Sequence, residues 1–336
     1  MACFGFFIPF SANSWCVSAP LGARTNNQEV ANKDLFCLES LAETVYEESF
    51  DSGLTVRISR DGLVLLRFLN VPGYLEAPEV MSKPKSPQQD NANAHIKFRA
   101  PYAEAMNAFL ACLSGTLKRT EYPLNLGHIA TNQVQEAKND FSLGVTRSIK
   151  TGNHIEARFP YGYHFPPHGD SRNFRTNLIE LDTLKSAAAN LNLLVREKSE
   201  TAIKLAAMFT LSVSSYEEHD FSRSLITSWA IIENILNSLW KALMRESNPP
   251  IQGKRKEKWN GSNFTISIKI EMLSMAGMLS EAEYGLVDKA RVDRNNWIHA
   301  LADVTFNSAH SSCFAASVLF QRVYNVPLAK EFCAWL

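Results

Sequence analysis

The pattern of hydrophobic and polar positions divides the chain into a half of short strands and a half of helices. The first half is clearest near residue 55, where Leu54, Val56 and Ile58 alternate with polar residues. An Asp-Gly pair follows at 61–62, and then the apolar run LVLLRFL. Alternation, a tight-turn dipeptide and a second apolar run together predict a β-hairpin.

The rest of the first half predicts further short elements. Residues 78–94 are polar and contain prolines, which predicts a loop, and HIKFR at 95–99 has the character of a strand. Apolar residues recur at helical spacing over 102–118, which predicts a helix. Further along, FSLGVTRSI and HIEARF return to strand character. The first half is therefore predicted to be an α+β domain, with the order of its strands left open.

Beyond residue 175 almost every segment has helical periodicity. The preceding stretch PYGYHFPPHGDSRNFR, at 160–175, is dense in Pro, Gly and aromatic residues, and we place a domain boundary there. Helices are predicted over about 178–214, 219–246, 266–276, from Ser280 onward, and over 308–326. The sequence thus predicts an α+β fold, with a domain over 1–175 and a helical bundle over 176–336. The role of the first domain stays open between regulation, sensing and RNA binding.

Composition restricts the classes of function. The chain has 336 residues, of which 46% are hydrophobic, so it can bury a large core. Its 34 Lys+Arg balance its 34 Asp+Glu, which excludes a polycation that coats nucleic acid by bulk charge. Any contact with nucleic acid must therefore be local. None of the six cysteines has zinc-site spacing, which favours a reducing compartment.

The first twenty residues superficially resemble a secretory signal. They lack a basic beginning, however, and Pro9, Asn13 and Trp15 interrupt any apolar helix. We therefore predict a pair of N-terminal strands and a cytoplasmic location. No apolar run approaches the roughly 20 residues that span a bilayer, so no membrane association is expected.

The candidate chemistry lies in the helix that starts after Ser280, where Arg294 and His299 have four residues between them. Spacing alone is weak evidence, because about one Arg–His match is expected by chance in a chain of this composition. Two other matches, Arg147 to His154 and Arg158 to His164, fall in strand and loop segments.

The surroundings of Arg294 distinguish it from these other matches. Arg294 lies one turn from Ala290 and from Ile298, on the apolar side of its helix, where a charge needs a partner. Glu233 occupies the apolar stripe of the helix over 219–246. We therefore predict a buried ion pair between Arg294 and Glu233. Five residues set Arg294 and His299 about 140° apart around the helix.

These features resemble the HEPN superfamily, and the ApeA-like branch of prokaryotic defence and toxin proteins in particular. The resemblance rests on R-N-x-x-x-H in a helical bundle, preceded by the acid-bearing helix SWAIIENILNSLW, and covers about residues 180–330. HEPN domains are typically endoribonucleases that need no metal or other cofactor and that dimerise, so that two motifs face one cleft. The resemblance implies that Arg294 and His299 are the catalytic pair, that Asn295 is the polar residue following the Arg, and that Glu233 orients the Arg.

The expected function is therefore RNA cleavage by attack of the substrate's own 2′-OH, in a toxin or antiviral-defence effector that acts as a homodimer. A regulatory protein or antitoxin is a further expected partner. Two alternatives stay open at this stage. One is a non-catalytic HEPN scaffold, and the other is a binding module whose first domain recognises a partner.

Two weaker candidates have ordinary structural explanations. One candidate is a basic run with an aromatic residue, formed by Lys254, Arg255, Lys256, Lys258 and Trp259. It is either an RNA contact, in which the cations hold phosphate and a base stacks on the indole, or a solvated loop. His164 and His168, with Asp170 nearby, suggest a metal site, but two prolines and the lack of a second ligand pair favour a packed linker. We expect no metal. Phosphate-binding glycine loops and α/β-hydrolase or zincin motifs do not occur in the sequence.

Overall fold

The computed structural model describes less than half of the first predicted domain and most of the second. The described residues are 3–7, 15–18, 44–59, 62–74, 88–117, 127–131, 134–137, 177–197, 200–247, 251–261 and 264–330. They fall into two compact units, and the division lies between Ala207 and Met208. The predicted α+β fold class is confirmed, with strands in the first unit and helices throughout the second.

The described residues of the first unit form seven strands. They are β1 (Cys3–Phe7), β2 (Trp15–Ser18), β3 (Thr44–Ser49), β4 (Leu54–Ser59), β5 (Leu63–Phe68), β6 (Gln135–Ala137) and β7 (Asn177–Glu180). Five form an antiparallel sheet in the order β3-β4-β5-β1-β6, while β2 pairs in parallel with β7. The predicted hairpin is β4–β5, with Ile58 opposite Val64. The two N-terminal strands exist, but they lie in different sheets and do not pair with each other.

Among the residues that the structure describes, three helices belong wholly or partly to this unit: α1 (Gln88–Thr116), α2 (Leu181–Arg196) and α3 (Glu200–Glu217). The strand predicted at 95–99 is wrong, because α1 covers those residues. The loop predicted at 78–94 is also wrong over its described part, 88–94, which is helical throughout. Pro101 resembles a helix start, yet α1 continues through it. The turns that follow bury Tyr102, Met106 and Phe109 completely or nearly so, which offsets the backbone hydrogen bond that proline removes.

The boundary between the units lies later than predicted. Because α2 packs along α1 and touches β3 and β4, it belongs to the first unit, and the second unit begins at Met208 rather than at residue 176. The segments FSLGVTRSI, HIEARF and 160–175 lie outside the described residues.

In the described residues, the second unit consists of the end of α3 and five further helices. These are α4 (Phe221–Glu246), α5 (Gly253–Asn260), α6 (Ile266–Met275), α7 (Glu281–Ala300) and α8 (Phe306–Tyr324). Helix α4 is central and contacts α6, α7 and α8. Its predicted stripe is confirmed at Leu225, Trp229, Ile232 and Leu236, each at most 4% exposed. In the described residues, no helix is long and apolar enough to cross a membrane.

A cluster of small polar side chains lies inside this helical core. The Oγ atom of Ser212 donates to the carbonyl oxygen of Ser224 at 2.9 Å and lies 2.5 Å from Oγ of Ser228. Cys313 Sγ is 3.2–3.3 Å from the hydroxyls of all three serines. The cluster satisfies polar groups that would otherwise be costly to bury, and it joins α3, α4 and α8.

Candidate functional site

The candidate site is carried by α7, whose two ends are well defined. As predicted, Ser280 caps its start: the Ser280 hydroxyl accepts from the Glu283 amide at 3.3 Å, and the Ser280 amide donates to the Glu283 carboxylate at 2.7 Å. The Glu283 carboxylate also pairs with Arg322 of α8. The helix ends at Leu301, which has a left-handed backbone with φ +50°. His299 therefore lies in the last turn.

Arg294 is half-buried and held along its own helix. Its Nη1 atom donates to Oδ1 of Asn295 at 2.9 Å. Its Nε atom is buried, and within the described part of the chain it has no hydrogen-bond partner; the same holds for Oδ2 of Asp293. Buried polar groups are nearly always paired, so this arginine retains unused capacity to bind an acceptor.

The predicted ion pair between Arg294 and Glu233 is wrong. Helices α4 and α7 are in contact, but among the residues that the structure describes no salt bridge or hydrogen bond joins these two side chains. Both residues are half-buried rather than enclosed, so water reaches them and the demand for a mutual partner is weak. The structure brings Arg294 and Asn295 together and leaves Glu233 apart from them.

His299 is exposed at the end of α7, about 7.5 Å along the axis from Arg294. Asn295 lies four residues before His299, which is about 40° around the helix, so its bond to Arg294 draws the guanidinium toward the face that carries His299. The imidazole and the guanidinium therefore occupy neighbouring parts of one helix surface.

Two exposed apolar residues flank His299. Val292 lies two turns earlier on the same face and is 39% exposed, and Leu301 is 83% exposed. Val287 and Ala290, by contrast, lie on the inward side of the same helix. Those two are buried, but Leu301 caps the helix in a left-handed conformation and leaves the inward face.

The basic run at 254–258 lies in helix α5 instead of the predicted loop. Lys254, Arg255 and Lys258 are exposed. The Trp259 ring stacks on Trp240 with centroids 5.3 Å apart, and the Arg255 guanidinium lies 5.7 Å from the Trp259 ring. Trp259 thus holds α5 against α4. This contact gives the indole a packing role, while the exposed cations stay candidates for phosphate contacts.

The described residues contain no group of three or more His, Cys, Asp and Glu side chains arranged to hold a metal ion. His164, His168, Asp170 and the other two Arg–His matches fall outside the described ranges. The first unit also contains a cavity, lined by Asp51 and Arg196 among others, that no pattern in the sequence predicts.

Comparison with known proteins gave no match to a protein-family model, a curated protein or a solved structure.

Proposed function

We propose that this chain is an endoribonuclease of the HEPN type that cleaves RNA without a metal ion. The observation that carries the proposal is the arrangement on α7: Asn295 draws Arg294 toward the face of His299, and His299 is open to solvent. One surface thereby combines the Arg294 guanidinium, which can bind phosphate, with the His299 imidazole, a side chain that can act as an acid or a base.

The reaction requires three roles. A base removes the proton of the substrate 2′-OH while the 2′ oxygen forms a bond to phosphorus and the bond to the 5′ oxygen breaks. An acid delivers a proton to that departing oxygen, and cationic groups stabilise the charge on the phosphorane. The products are a 2′,3′-cyclic phosphate and a 5′-hydroxyl. DNA lacks the 2′-OH and is not cleaved by this route.

A single copy of α7 supplies one imidazole, whereas the reaction uses a base and an acid. We therefore propose that two copies associate through the surface around His299, with the exposed side chains of Val292 and Leu301 buried between them. In such a dimer two imidazoles and two guanidinium groups face one scissile phosphate.

The proposed biological role is that of a toxin or antiviral effector acting on cytoplasmic RNA. The first unit would control it or help to bind RNA, and a regulatory protein or antitoxin would restrain it. The exposed cations Lys254, Arg255 and Lys258 of α5 are proposed to contribute to backbone binding.

The test compares the same substitution at two exposed histidines of the second unit. His299→Asn removes the proposed catalytic imidazole, and His219→Asn is the matched control, since asparagine tolerates the φ of +63° at that position. Each protein is incubated with labelled RNA, and with the all-DNA equivalent, in EDTA, and the product ends are resolved. In parallel, growth of bacterial cells expressing each form is followed.

We expect RNA cleavage with cyclic-phosphate ends, and growth arrest, from the parent and from His219→Asn only. Cleavage of DNA at the same rate, or equal cleavage by His299→Asn, would overturn the mechanism. If the parent neither cleaves RNA nor arrests growth, the non-catalytic scaffold becomes the better explanation.

A further inference from the structure

A cavity of about 660 Å³ lies within the first unit, separate from the site on α7. Its volume is within the range of sites that enclose small molecules. Much of its lining is apolar, provided by Val71, Pro101, Leu194, Val195 and Ile203. The cavity can therefore enclose a ligand with an apolar body.

Two opposite charges from distant parts of the sequence face this cavity. Asp51 belongs to the turn between β3 and β4, and Arg196 is the last residue of α2. In the part of the chain that the structure describes, neither side chain makes a salt bridge or hydrogen bond, and they do not pair with each other. Glu104 and Lys204 also line the cavity, but each already interacts within the chain.

Residues with positive φ occur in the two turns at the rim of this cavity. Gly53 has φ +88° and its carbonyl accepts from the Leu69 amide at 2.8 Å, while a Cβ at Gly53 would lie 2.1 Å from the Leu69 carbonyl oxygen. Asn70 and Gly73 also have positive φ. Glycine, and to a lesser degree asparagine, adopts this backbone readily, and the hydrogen bond between Gly53 and Leu69 ties the β3–β4 turn to the segment after β5. The two turns that carry Asp51 and Tyr74 are thus fixed against one another before any ligand arrives.

We propose that this cavity binds a small zwitterion with an apolar body, of the class of free amino acids and short peptides. The ligand ammonium group pairs with Asp51, its carboxylate pairs with Arg196, and its side chain occupies the apolar lining. Asp51 and Arg196 are both exposed to solvent, so each stays hydrated until a ligand pairs with it. A molecule carrying both charges can form both pairs, whereas a purely anionic or purely cationic ligand can form only one. The proposal does not rest on the ribonuclease activity.

The experiment uses the full-length protein and a panel of the protein amino acids and apolar dipeptides, screened by thermal shift and followed by isothermal titration calorimetry. For the best ligand, two derivatives each remove one charge: the C-terminal amide and the N-acetyl form. We expect each derivative to bind about tenfold more weakly than the unmodified ligand, because each lacks one hydrogen bond between charged groups.

The protein variants provide the second arm. Asp51→Asn and Arg196→Gln should each weaken binding by a similar factor. Their matched controls are Asp182→Asn, an exposed residue of α2 outside the cavity, and Arg245→Gln in the last turn of α4. Three results would each overturn the proposal: binding by no member of the panel, binding of the amide or the N-acetyl form as tightly as the unmodified ligand, or an equal loss of affinity in the control variants.

Discussion

The Nη1 atom of Arg294 donates a hydrogen bond to Oδ1 of Asn295, its neighbour in the chain, across 2.9 Å. Successive residues are about 100° apart on a helix, so the contact turns the guanidinium around the surface of α7 instead of toward α4. A residue of the same helix therefore orients the arginine, and no acid from another helix is needed for that task.

Asn295→Ala should lower the rate of RNA cleavage by about tenfold, because it removes one hydrogen bond to a charged group. The melting temperature should change little, because the bond lies within one helix and is partly exposed to solvent. Single-turnover cleavage assays check the rate, and thermal denaturation checks the fold.

The matched control for this prediction is Asn234→Ala on α4, whose exposed side chain donates only to the Ala230 carbonyl oxygen at 3.0 Å. If Asn295→Ala cleaves RNA as fast as this control, the proposed orienting role is wrong.

Glu233→Gln should leave the rate of RNA cleavage within about twofold of the parent rate. A half-exposed carboxylate without an ion pair contributes little to the orientation of Arg294. In the same assay Arg294→Gln should cost about 100-fold or more, as expected when a group that stabilises transition-state charge is removed. A large loss in Glu233→Gln would show that Glu233 meets Arg294 in the RNA-bound dimer.

Local periodicity was sufficient to predict the β4–β5 hairpin and the buried stripe of α4. In both elements, the spacing of nearby apolar residues shows which side of the strand or helix each residue occupies. The N-terminal part of α1 was not predictable in this way, because Pro101 imitates a helix start and only burial further along shows that the helix continues. Helix α5 was missed because its residues are polar; Trp259, packed on Trp240, holds it in place.

The candidate site was only partly predictable for a related reason. A periodic stripe shows which side of a helix a residue occupies, but it gives neither the distance to a residue on another helix nor the access of water. Arg294 and Asn295 are adjacent in sequence, so their contact is local, whereas the pairing with Glu233 depended on helix packing and was wrong. The cavity of the first unit gathers Asp51, Arg196 and three other segments far apart in sequence, which no local pattern reveals.

Glu217 should make the stability of the protein depend on pH. Burial, and then the neighbouring charge of Glu218, raise the pKa of Glu217 from 4.5 to about 8, and its Oε2 atom has no hydrogen-bond partner among the described residues. The folded state keeps its proton while the unfolded state loses it, so this contribution to stability is complete below pH 4.5 and is lost as pH rises toward about 8.

Glu217→Gln should therefore stabilise the protein by about 4 kcal/mol at pH 8 and by little near pH 4.5, as measured by urea unfolding across that range. Glu218→Gln, at the exposed neighbour, should give a smaller gain in the same direction, because it only removes a repulsive charge. Identical pH profiles for the parent and Glu217→Gln would contradict the assignment.

Ser212→Ala should destabilise the second unit by about 1–3 kcal/mol, because it leaves buried polar atoms with fewer partners. The Ser224 carbonyl loses a donor and the Ser228 hydroxyl loses its nearest contact. Ser238→Ala, on the exposed face of α4, should change stability by less than about 0.5 kcal/mol. Urea unfolding of the two variants measures the difference, and equal effects would mean that the cluster adds no stability.

Gly53→Ala and Gly285→Ala should change stability in opposite directions. At Gly53 an added Cβ would collide with the Leu69 carbonyl oxygen on a backbone of φ +88°, at a cost of about 3 kcal/mol. At Gly285, an exposed position within α7, the Cβ meets nothing within 4 Å, and alanine should stabilise the helix by about 0.5–1 kcal/mol. Thermal denaturation distinguishes the two, and a neutral Gly53→Ala would show that the rim of the cavity relaxes easily.

The carboxylate of Glu283 closes the cap of α7 and also pairs with Arg322, so one side chain joins the start of α7 to the end of α8. His299 lies sixteen residues further along, about 24 Å away along the helix axis. Helix α7 also packs on α4, α6 and α8, so it is held along its length and not only at its start. A substitution at Glu283 would therefore loosen two helix ends at once, the first turn of α7 and the last turn of α8, at a place that is remote from His299.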